Sequence, residues 1–131
     1  MGIDRVAPTN LTSALQDLIP NVLVAGADDT GNSGHCNITI RDAQDDTLAE
    51  YFLFRTWLST SDFGAPEAQS VFNVTTGTEV SQTDPGGDSF VLSTNGGLAE
   101  MLISLPAPGV IYCMVEIDGR VYSSGAINIT A

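Results

Sequence analysis

Short apolar and β-branched runs, each closed by a cluster of Gly, Asp, Asn or Pro, recur from position 21 to the end of the chain. Each run is too brief to make a helix with a continuous apolar stripe. Most alternate with period two, as a half-buried strand does. The runs fall at 22–25, 35–41, 51–58, 71–75, 89–93, 99–105, 110–117 and 121–130. Between them stand the breakers GADDTGNSG, DAQDD, TSDFGAPEA, TDPGGD, TNGG and PAPG. About seven strands at this spacing predict an immunoglobulin-like antiparallel β-sandwich over 21–131. With 131 residues and 43% hydrophobic side chains, the chain can bury one core. No repeat of solenoid length is visible.

Period two assigns the faces. On 35–41, Cys36, Ile38 and Ile40 point in. On 110–117, Ile111, Cys113, Val115 and Ile117 form one apolar face, with Tyr112, Met114 and Glu116 on the other. The run 51–58 is apolar on both sides. Phe52, Phe54 and Leu58 are predicted to enter the core. Tyr51, Leu53 and Trp57 share the opposite face with Arg55, and that face needs cover from an N-terminal arm, a long loop or a partner.

The closing segment CMVEIDGRVYSSGAINIT contains the strongest turn signal, Asp118-Gly119. A two-residue turn pairs Ile117 with Arg120, Val115 with Tyr122 and Cys113 with Ser124. Continued strictly, that register puts Ile127 and Ile129 on the face opposite Cys113. One extra residue in the second strand swaps the faces back. Ser123–Gly125 is the place for such a bulge, and it returns both isoleucines to the core.

Residues 1–20 read as a separate arm. Within TSALQDLIP, Thr12 or Ser13 can cap two helical turns that Pro20 stops. Leu11, Leu15, Leu18 and Ile19 form the stripe. So short a helix is marginal alone and must dock, either on its own domain or on a partner. The start lacks the basic residues and apolar core of a secretory leader, and no apolar run is long enough to span a membrane. Four arginines and no lysine oppose 16 acids, for a net charge of −12. A field of that sign repels nucleic acid and anionic membrane, and it suits a basic protein partner.

Catalytic chemistry is not expected. The single histidine, His35, faces outward beside a loop, with no nucleophile at a recognisable spacing. The carboxylates sit in turns, where Asp favours the geometry for local reasons. ADDTGNSG and DAQDD offer hard oxygen ligands, but neither has EF-hand spacing, so no metal and no cofactor is assigned. The order Cys36, Trp57, Cys113 is similar to that of antibody domains, although Tyr112 directly precedes the second cysteine instead of standing two residues before it. Both thiols are on predicted core faces. They are either free and buried, as a reducing cytosol favours, or bridged.

ITIRDAQDDTLAEYFLFRTWLS, followed by STNGGLAEMLISLPAPGVIYCMVEIDGRVYSSGAINIT, resembles a bacterial-type immunoglobulin-like module found in virion proteins of tailed bacteriophages. The resemblance covers about 32–130. It lies in the Asp-rich turn 42–46, in TNGGLAEMLIS at the entry to a late strand, and in the hairpin around Asp118-Gly119. The cysteine pair and TDPGGD stand outside it. The resemblance implies a structural virion protein, foremost a head decoration or cement protein on the outer capsid surface, made in the host cytoplasm. Its partner would be the major capsid protein or another virion protein, and a homo-oligomer is compatible with it. The second reading is a tail, neck or fibre module that binds host surface glycans through Phe63 and Tyr122. The partner contacts expected for the first are Leu15, Leu18, Ile19, Trp57 and Arg55.

Overall fold

The computed structural model describes residues 21–67, 71–84 and 88–131. The arm over 1–20, with Leu15, Leu18 and Ile19, lies outside them. The described residues form nine strands: β1 Asn21–Thr30, β2 Ser33–Arg41, β3 Leu53–Ser59, β4 Val71–Thr76, β5 Thr78–Asp84, β6 Asp88–Leu92, β7 Leu98–Ser104, β8 Gly109–Ile117 and β9 Arg120–Ile129. They make two antiparallel sheets, ordered β1-β2-β7-β4 and β5-β6-β3-β8-β9. Seven of the strands reproduce the four-on-three arrangement of an immunoglobulin constant-type sandwich. The β5–β6 hairpin adds two more beside β3, which is why nine strands stand where about seven were expected.

The core lies between the sheets and follows the predicted faces. Cys36, Ile38 and Ile40 from β2, Phe54 and Leu58 from β3, and Ile111, Cys113, Val115 and Ile117 from β8 are all buried. Phe52 packs against them from the entry to β3. The last hairpin has the register required of it: Ile117 opposes Arg120, Val115 opposes Tyr122, and the pairing shifts between Tyr112 and Met114. The extra residue is accommodated where Gly125 takes φ +72. Ser124 Oγ accepts the Cys113 N–H at 3.0 Å there. As a result Ile127 and Ile129 are buried.

Two segments differ from the sequence reading. GADDTGNSG is not a loop, because β1 continues through it and the turn comes only at Thr30, Gly31 and Asn32. Gly26 and Gly34 are strand residues there. A Cβ on Gly26 would lie 2.2 Å from Ile127 Cδ1, and one on Gly34 would lie 2.4 Å from Ile129 Cδ1. These glycines leave room for β9 to pack on β1 and β2 at the corner of the sandwich. The second difference is β5, which the hydrophobic pattern missed. Its apolar content is one valine, Val80, and its ladder with β6 is twice interrupted. It is an edge strand, and edges carry little of the periodic signal.

The β1–β2 turn and the end of β9 are held together by Asp28. Its carboxylate accepts the Thr30 N–H at 3.0 Å, the Thr130 N–H at 3.1 Å and the Thr130 hydroxyl. The hydroxyl of Thr130, then its amide, then that of Thr30, stabilise the ionised form and hold Asp28 below its ordinary value of 3.8. A depressed carboxylate pKa favours the folded state above the unfolded value and loses that contribution as pH falls through the folded value. Amide exchange at Thr130 and Thr30 is therefore expected to accelerate, relative to core amides, as the pH is taken below 3.8. Asp28→Asn should already exchange fast at neutral pH and show little further response to acid.

Candidate functional site

The sequence left one face of the 51–58 run in need of cover, and the structure divides that face in two. Its C-terminal part is closed by the chain itself. The loop after β3 turns back over Trp57, whose indole N–H donates to the Gly64 carbonyl at 2.9 Å. The return is pinned by the Glu67 N–H donating to the Leu58 carbonyl at 2.7 Å. Met114, opposite Trp57 in the β3–β8 ladder, is fully buried. Trp57 retains 7% exposure, so a partner would reach it only by displacing this loop.

Arg55 borders the closed part. It makes two parallel hydrogen bonds to Asp88, 2.7 Å from Nε and 2.8 Å from Nη2, and lies 3.9 Å from Glu116. Its guanidinium carbon sits 4.6 Å from the Trp57 ring centroid. The charge is therefore matched within the sheet, bidentately by one carboxylate and through space by a second. Arg55→Ala removes the fork and one cover of the indole. Because Arg55 and Asp88 are 32% and 26% exposed, solvent screening keeps the expected cost to about 1–2 kcal/mol. A red shift of the tryptophan emission in the folded protein checks the loss of cover.

The N-terminal part of the same face is open. Across the sheet the ladder sets Ser81, Phe90, Arg55, Glu116 and Val121 in one row, with Leu92 and Leu53 paired in the next. Leu53 is 56% exposed and Phe90 44%. Tyr51, Val80 and Val121 are exposed as well. Leu53 and Phe90 thus form a small apolar strip, and the charged Arg55 and Glu116 stand between it and Val121. Exposed single hydrophobes are ordinary, but neighbouring ones on an open sheet face are the kind of surface that other proteins cover. The pattern rule placed Leu53 outward. It could not bring Phe90 beside it, because that depends on pairing β6 with β3.

Elsewhere several acidic side chains serve local structure. Asp29 faces His35 Nδ1 at 2.8 Å. Asp42 accepts the backbone N–H groups of Gln44 and Asp46 at 2.9 and 2.8 Å. Asp45 lies 3.5 Å from Arg41 and accepts from Asn21. Among the described residues no group of three or more His, Cys, Asp or Glu side chains could hold a metal ion. A pocket of about 160 Å³ at one end of the sandwich is lined mainly by Leu105, Pro106, Ala107, Val110 and Ile111. Phe63 is exposed in the loop after β3, whereas Tyr122 packs against the core. In the interior, Cys36 and Cys113 are free thiols. Hydrogen bonding to Cys113, and after it burial, pushes the Cys36 thiol well above its ordinary value.

No family model matches this chain, and no curated protein matches it. Among solved structures it is similar to domains 4 and 5 of the S-layer protein SbsC, with a TM-score of 0.44 at 10% sequence identity. The match covers 86% of this chain and 54% of that one, so the chain spans about half the length of the S-layer fragment.

Proposed function

We propose that this chain is a structural virion component, a decoration or cement protein seated on the outer capsid surface of a tailed bacteriophage. The observation that carries the reading is the open apolar strip of Leu53 and Phe90 on the outer face of the five-stranded sheet, beside the carboxylates of Asp88 and Glu116. A sheet face of this kind loses little side-chain entropy when covered, and its acidic border favours a partner with basic side chains around an apolar patch. The resemblance over 32–130 supplies the virion context, as an analogy of sequence. The partner is the major capsid protein or another virion protein.

Cross-linking mass spectrometry on purified particles tests this directly. The expected result is the chain present at fixed stoichiometry, with cross-links from residues bordering Leu53 and Phe90 to the shell protein. Its absence from particles overturns the proposal. Phe90→Asp is expected to lower particle occupancy at least tenfold while leaving the melting temperature of the free protein nearly unchanged, since the side chain is already half in water.

A further inference from the structure

We propose that Cys36 and Cys113 form a disulfide between the two sheets when the chain folds in the presence of a low-molecular-weight disulfide. Cys36 lies on β2 of the four-stranded sheet and Cys113 on β8 of the five-stranded sheet. Both point into the same core, at 0% and 1% exposure.

Packing at one corner of the sandwich links the strands that carry the two thiols. Gly26 is the ladder partner of Cys36, and its missing side chain is replaced by Ile127 from β9. Ile127 is in turn the ladder partner of Ile111, two residues before Cys113. The close packing of β1 on β9 at this corner thus joins the ladder neighbours of β2 and β8 beside the two cysteines. Cys113 helps raise the Cys36 thiol pKa, and Thr56 Oγ1 lies 3.8 Å from Cys113 Sγ in the same interior. Inward cysteines on facing sheets direct their side chains toward one another, the orientation a bridge requires.

The bond forms by two exchanges. One cysteine thiolate attacks the oxidant's S–S bond, making a mixed disulfide and releasing one thiolate, which takes up a proton. The second cysteine thiolate then attacks the protein sulfur of that mixed disulfide, closing the Cys36–Cys113 bond and releasing the second thiol. The protein loses two protons and two electrons, and the oxidant is reduced to two thiols. In the folded chain no reagent reaches either sulfur, and the raised Cys36 pKa keeps it protonated. Closure therefore belongs to the folding step, before the sheets meet.

The test uses the purified full chain, unfolded and reduced, then refolded by dilution into glutathione disulfide. The expected product is lighter by two hydrogens, gives a Cys36–Cys113 linked peptide on digestion, and melts roughly 10 °C higher than the reduced protein. Two thiols still titrating in denaturant after refolding would overturn the proposal, as would glutathione adducts or covalent dimers as the main product. Cys113→Ser is expected to show no rise in melting temperature with the oxidant. If that variant does not fold, the peptide map of the unaltered chain decides alone. The experiment needs no capsid, so its outcome is independent of the proposed function.

Discussion

Gly97→Ala is expected to destabilise the protein by roughly 3–4 kcal/mol, through backbone strain and collision together. Gly97 has φ +78, where an L side chain is already strained. A Cβ there would stand 2.1 Å from the carbonyl oxygen of Ile40, a backbone atom that cannot rotate away. The same glycine anchors the turn before β7, since its carbonyl accepts the Ile40 N–H at 2.7 Å and its N–H donates to Thr94 at 3.0 Å. Moving it would disturb the end of β2 and the start of β7 together. Urea titration should show a lower midpoint with an unchanged slope. Gly109→Ala is the control. Its Cβ would meet nothing within 4 Å, and its effect should stay within about 0.5 kcal/mol.

Phe54→Ala is expected to cost about 3–5 kcal/mol, the lost burial plus the cavity left behind. Phe54 is 1% exposed near the start of β3 and is paired with Val91 in the β3–β6 ladder. For a domain of this size that is a large part of a total near 5–15 kcal/mol. Phe90→Ala on the neighbouring strand is the informative comparison. Phe90 opposes Arg55, one ladder position from the Phe54–Val91 pair and on the opposite face, and it is 44% exposed. Its truncation should cost less than about 1 kcal/mol. Equal costs for the two phenylalanines, read from paired denaturant melts, would contradict the assignment of inner and outer faces.

The two comparisons also separate stability from function. Phe54 and Gly97 hold the sandwich together, and Phe54 does so from the inner face of the strand whose outer face carries Leu53. Leu53 and Phe90 contribute little to the core, and the proposed contact with a shell protein depends on them. A chain that loses particle occupancy through Phe90→Asp but melts normally has lost a surface, not a fold.

Much of the fold could be read from local pattern. Alternation alone sorted the faces of β2 and β8. The turn at Asp118-Gly119, together with the need to return Ile127 and Ile129 to the core, required the bulge found at Ser124 and Gly125. That inference worked because a hairpin's register depends on residues adjacent in sequence. The glycines at 26 and 34 misled the same reasoning. Taken alone they mark a loop, and only the arrival of Ile127 and Ile129 from the far end of the chain makes them strand residues.

What the amino-acid order determined by itself was the all-β class, the inward thiols and the last hairpin, because each follows from periodicity or from a turn a few residues long. What only the tertiary structure decided was the cover over Trp57, the internal partners of Arg55 and the neighbours that make Leu53 and Phe90 one strip. These are pairings between segments far apart in the chain. Their energies come from which strand lies beside which, and no local pattern of side chains encodes that choice.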